Sequence, residues 1–137
     1  MMLWLLAGCA APGMLVPYQV AGDGISAPLS NAAPDPARGR ALLVSRDSNC
    51  TLCHAAAETG ERFFGTVGPP LSGVGNRLTA AQIRLRIVDP LFFNKESIMP
   101  AYYRVDGLNR VAETYRGKPV LTAEQIEDVI AYLLTLQ

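Results

Sequence analysis

The sequence has one histidine, His54, and three cysteines, Cys9, Cys50 and Cys53. A centre built from two imidazoles of one chain is thereby excluded. Basic excess is missing as well: 12 Lys and Arg balance 12 Asp and Glu, so the chain lacks the positive field that phosphate binding needs, and nucleic acid is not its expected partner. Nor does any run approach the ~20 apolar residues of a membrane-spanning helix. Charge is nearly absent from the first third, where no Lys or Arg precedes Arg38 and only Asp23 and Asp35 are ionised.

The 137 residues are one domain's worth, and half of them are apolar, enough for one compact core. Residues 1–9 read as a signal or lipobox-like segment, because Leu6-Ala7-Gly8-Cys9 places small residues before a thiol. Two fates fit it. One is a lipid anchor on Cys9; the other is an ordinary cleaved signal whose apolar region happens to contain a Cys. Against the anchor, the apolar stretch before Cys9 is very short and lacks the positive flank that a secretory signal normally has. Residues 10–35, with Pro12, Pro17, Pro28 and Pro34 among scattered Gly and Ala, have tether composition, and the folded domain is expected over 36–137. Either fate predicts an exported protein.

The chemistry lies in Cys50-Thr51-Leu52-Cys53-His54, a C-x-x-C-H motif. Two intervening residues give one helical turn, which spaces the sulfurs for the two vinyl groups of a haem, and the following His projects as an axial ligand. Three other uses of the cysteines are weaker. Zinc would have to recruit Cys9 from the tether as its fourth ligand. A thioredoxin-like pair expects a βαβ context, and the flanks show no strand alternation. A disulfide across three residues closes too short a loop to stabilise much. The motif therefore predicts one covalently bound haem c on Cys50 and Cys53, with His54 on the iron.

The sixth ligand cannot be a second histidine. Of four methionines, Met1, Met2 and Met14 precede the expected domain, which leaves Met99, in Ile98-Met99-Pro100. The alternative is that Met99 fills a gap in the core, a common use of methionine. A His/Met pair raises the potential relative to His/His, and filled axial sites favour electron transfer over substrate binding.

An all-α domain is expected around this motif. A first helix is predicted over about Ala37–Arg46, opened by Pro36. Gly68-Pro69-Pro70-Leu71 must be a rigid loop, since proline lacks an amide donor, and the Pro69 carbonyl could accept the second ring N–H of His54. Capping boxes at Thr79/Gln82 and Thr122/Gln125 open two further helices; the first stops at Asp89 before Pro90, and the last carries Ile126, Val129, Ile130 and Leu133 on one face. Gly39 would admit a bulky residue of the last helix, such as Tyr132.

The C-x-x-C-H motif, Gly68-Pro69-Pro70-Leu71-Ser72-Gly73, Met99-Pro100 and the final helix together resemble the class I cytochrome c pattern over about residues 36–137. Within it, the segments 98–111, 115–123 and 127–133 resemble the SoxX family, the monohaem cytochrome c subunit of SoxAX in bacterial sulfur oxidation. That resemblance implies a periplasmic heterodimer with a SoxA-type haem subunit, which joins thiosulfate oxidatively to a cysteine of the carrier SoxYZ. It also implies that Cys50 and Cys53 anchor the haem, that His54 and Met99 ligate the iron, and that electrons pass from SoxA to a small acceptor cytochrome c. No catalytic nucleophile is expected in this chain. The competing readings are a free-standing periplasmic carrier, or a haem subunit of another dehydrogenase or oxidase. A gas sensor would need an open iron site, which Met99 ligation excludes. Tyr102 and Tyr103, with Arg104, Arg110, Arg116 and Lys118, are the expected partner surface, the alternative being that the tyrosines close the haem pocket.

Overall fold

The computed structural model describes residues 15–137; the expected signal segment and Cys9 lie outside them. Among the described residues four α-helices occur in order: α1 (Pro36–Leu43), α2 (Val74–Arg77), α3 (Ala80–Val88) and α4 (Ala123–Leu133), with single 3₁₀ turns at Cys50–Leu52, Ala57–Thr59, Pro90–Phe92 and Glu113–Tyr115. Among the described residues the only strand-like pairing is an isolated bridge between Ala21 and Gly24.

Local chemistry sets these boundaries. Asp35 accepts the Ala37 and Arg38 N–H groups at 2.7 and 3.3 Å and caps α1, whose first residue is Pro36. The helix stops at Leu43, short of the expected Arg46. The reason is visible at Leu42, whose carbonyl takes the Ser45 N–H and the Ser48 hydroxyl, so the chain turns away toward Cys50. Both predicted capping boxes are closed reciprocally. Gln82 Oε1 accepts the Thr79 N–H at 2.8 Å while Thr79 Oγ1 accepts from Gln82, and the pair Thr122 and Gln125 does the same.

The chain's two terminal helices cross at Gly39. A Cβ placed there would overlap the Asp128 carbonyl oxygen and lie 3.0 Å from the Tyr132 Cβ, so only glycine lets α1 reach the α4 backbone. Arg38 then straddles the crossing, donating to Asp128 from Nε at 2.7 Å and from Nη2 at 2.9 Å. Beneath the crossing lie Leu43, Ile126, Val129, Ile130 and Leu133, joined by Ile83, Leu85 and Val88 of α3. Burial of these apolar faces, not helix propensity, is what holds such short helices in place.

Residues 15–35 of the expected tether are not a free linker. Ile25 and Leu29 are fully and almost fully buried in the core, and the chain from 15 to 35 runs as a strap over α3 and α4. Ile25 N–H donates to Ala81 O at 3.0 Å, Gln82 Nε2 to Asp23 at 2.6 Å, Leu29 N–H to Glu127 at 2.8 Å and Asp35 N–H to Asp128 at 2.6 Å. Composition alone misled here, because proline and alanine are equally at home in an extended segment pinned by its backbone. A buried ion pair completes the anchorage: Arg84 Nε and Nη2 donate to the two Glu127 oxygens at 2.7 and 2.8 Å, and Arg84 Nη1 donates to Ile25 O at 2.6 Å.

Candidate functional site

Asn49, in left-handed backbone with φ 41°, aims the chain into the 3₁₀ turn at Cys50. There Cys50 O accepts from Cys53 N–H at 3.2 Å and His54 N–H at 3.0 Å, so the motif is a single tight turn. The loop that follows is laced to it by three backbone bonds, Gly65 N–H to Thr51 O at 2.9 Å, Gly68 N–H to Cys53 O at 2.8 Å and Leu71 N–H to Ala55 O at 2.8 Å. This lacing delivers Pro69 O to within 2.6 Å of His54 Nδ1. A carbonyl can only accept, so Nδ1 carries the proton and the Nε2 lone pair is left for a metal. Gly68 is required by the same approach: a Cβ there would press into the imidazole, 2.7 Å from Nδ1 and 2.8 Å from Nε2.

Met99 faces this turn across a cavity with two adjoining lobes of about 390 and about 610 Å³, both bordered by Cys50, His54 and Met99. The larger lobe is walled by apolar side chains that include Leu71, Val74, Ile83, Ile87 and Leu133. Its only charged lining residues are Arg77 and Arg86. Arg77 is held by bonds to Ser72 O at 2.6 Å and Pro70 O at 2.7 Å, while Arg86 sits 4.4 Å from the Phe93 ring centre. Two thiols at one edge, an imidazole nitrogen and a thioether sulfur on the borders, greasy walls and two guanidiniums suit a flat apolar macrocycle that carries two carboxylates.

The family model for cytochrome c matches residues 36–137. The chain belongs to the cytochrome c family. Its fold is the class I cytochrome c fold and its cofactor is covalently bound haem c, which makes it an electron-transfer protein. Among solved structures it is similar to one described as SoxXA from P. pantotrophus, with a TM-score of 0.78 and 35% identity over 87% of this chain and 93% of that one. The cytochrome is thus of the SoxX type. No curated protein sequence matches it.

Before haem attachment the Cys50 thiol is pushed up to about 11, chiefly by burial, with smaller opposing contributions from nearby hydrogen bonds. Tyr102 lies between the two halves of the site. Its hydroxyl donates to Ser48 O at 2.6 Å, beside Cys50, and burial, followed by the neighbouring cysteines, pushes its pKa up.

Tyr102 and Tyr103 are buried and do not form part of a partner surface: Tyr102 borders the haem cavity, and Tyr103 packs against the N-terminal strap. Of the cations expected beside them, Arg104 lies 3.5 Å from Asp89 and Arg116 lies 3.0 Å from Glu113. The exposed apolar side chains lie elsewhere. Leu52, inside the C-x-x-C-H turn, is 67% exposed and Phe63 is 89% exposed. Sequence reading missed both the clasp from Tyr102 to Ser48 and the strap. The bulky apolar pair Ile25 and Leu29, set four apart among small residues and proline, was the available signal for the strap.

Proposed function

We propose that this cytochrome is the electron-transfer subunit of a SoxAX complex that joins thiosulfate to a cysteine of a SoxYZ-type carrier. Cys50 and Cys53 would hold the haem as thioethers, and His54 and Met99 would ligate its iron. The haem, when bound, supplies one-electron exchange between ferric and ferrous iron. The chain's own residues set the conditions for that exchange: Pro69 fixes the imidazole tautomer, apolar walls exclude water, and Tyr102 ties the methionine loop to the attachment turn. The similarity to SoxXA supports the subunit reading, and the placement of Met99 opposite the C-x-x-C-H turn across one cavity, with no other methionine among the described residues, supports the ligand assignment.

Replacing Met99 with alanine is expected to abolish the weak near-infrared sulfur-to-iron absorption of the oxidised protein while leaving the thioether-bound haem in place. A variant that keeps the band would refute Met99 as the ligand.

The partners follow from the similarity to SoxXA and from the resemblance of the sequence to SoxX. A SoxA-type haem subunit would hand electrons to this chain, which would relay them to a small acceptor cytochrome c. The compartment that fits is the periplasm, reached by export, with Cys9 as a lipid anchor or as part of a removed signal. Purification from the native host through a tag should recover a SoxA-type chain in equal amount. A solitary red monomer would instead point to a free-standing carrier.

A further inference from the structure

Met99 is poorly held by its own segment. Its N–H makes one long bond, 3.3 Å to Ser97 Oγ, and its neighbour Ile98 is 77% exposed. Support comes from three and four residues further on. Tyr102 grips the interior: its N–H donates to Ile87 O at 3.1 Å, its carbonyl accepts from Leu121 N–H at 3.1 Å, and its hydroxyl reaches Ser48. Tyr103, only 1% exposed, reaches the N-terminal strap, where its hydroxyl oxygen accepts the Val16 N–H at 2.8 Å and its ring lies 6.4 Å from that of Tyr18. The strap is itself fixed further along, at Asp23, Ile25 and Leu29. A chain of contacts therefore runs from the core helices through residues 15–29 to Tyr103 and on to the methionine loop. The match to the cytochrome c family begins only at residue 36, whereas the similarity to SoxXA covers 87% of the chain, more than residues 36–137 make up, so part of the strap is shared with that structure.

We propose that the strap is a positioning element for the distal methionine, acting through Tyr103, and that it sets how readily Met99 yields the iron to an added ligand. This rests on the assignment of Met99 as axial ligand. An exogenous base can reach the iron from that side only when the loop opens, so a contact that favours the closed loop lowers the base's apparent affinity by the same factor.

The test is imidazole titration of the oxidised, haem-loaded full chain, followed by its visible spectrum. Tyr103→Phe removes the acceptor and keeps the ring. Val16→Pro removes the donor from the other side; Pro17 already biases Val16 toward the extended backbone that proline itself can adopt. Each variant is expected to bind imidazole about fivefold more tightly, the effect of one modest hydrogen bond. Because both remove the same bond, the double variant should gain no more than either single one. Asp35→Ala, which uncaps α1, serves as control: it should lower the melting temperature without tightening imidazole binding. Affinities of both strap variants matching the control, or fully additive gains in the double variant, would overturn the proposal. A wild-type spectrum without the sulfur-to-iron band would instead remove the Met99 assignment, an outcome visible before any variant is made.

Discussion

Replacing Glu127 with alanine is expected to lower the unfolding free energy by about 4 kcal/mol, because it leaves the Arg84 guanidinium buried without its counter-ion. Arg84 and Glu127 are only 4% and 6% exposed, and they meet through two bonds of 2.7 and 2.8 Å. The same carboxylate accepts the Leu29 N–H at 2.8 Å, so the strap loses an anchor in the same step. Chemical denaturation of the haem-loaded protein measures the loss. The double replacement Arg84→Met with Glu127→Leu separates charge from packing. Removing both charges spares the cost of an unpaired ion, so this variant should recover much of the stability even though Ile25 O and the Leu29 N–H stay unpartnered. A double variant as unstable as Glu127→Ala would show that the backbone anchors, not the ion pair, dominate.

Alanine at Gly39 pits two effects against each other. Helix propensity favours alanine over glycine by about 1 kcal/mol. Against it stands a Cβ 2.5 Å from the Asp128 carbonyl carbon and in overlap with its oxygen. Those atoms are backbone and cannot swing aside, so α1 and α4 must separate along their whole crossing, at a cost of about 3 kcal/mol or more. The steric effect wins, and the melting temperature should fall by roughly 10 °C. An unchanged or higher melting temperature would mean that the helices have room to spare.

The parts of the molecule that were legible in the sequence are those governed by local rules. The capping boxes announced α3 and α4 because side chain and backbone satisfy each other within three residues. The attachment motif and Pro69 were legible because their spacing is set by covalent and loop geometry. Gly39 spoke through a helix that had no other reason to carry a glycine. What stayed hidden depends on distant partners. Arg84 and Glu127 sit in apolar helical stretches, 43 residues apart, and a charge in such a stretch reads as surface until its mate is seen. Tyr102 and Tyr103 read as interface residues, since a tyrosine looks the same whether its hydroxyl meets water, Ser48 or Val16. The strap failed for a related cause: its two core residues are outnumbered by residues typical of linkers.

The three backbone bonds that lace residues 65–71 to residues 51–55 join positions no more than 16 apart in the chain. The hydroxyls of Tyr102 and Tyr103 instead bond to residues 54 and 87 positions away. Closing a short loop costs less entropy than closing a long one, and the difference grows with the logarithm of length. The histidine side of the site can therefore assemble as a nearly self-contained hairpin of chain, ahead of the rest. The methionine side waits for residues 102 and 103 to meet Ser48 and Val16. Order of assembly and order of failure are then mirror images: on warming, the iron loses its sulfur neighbour while its imidazole stays in place.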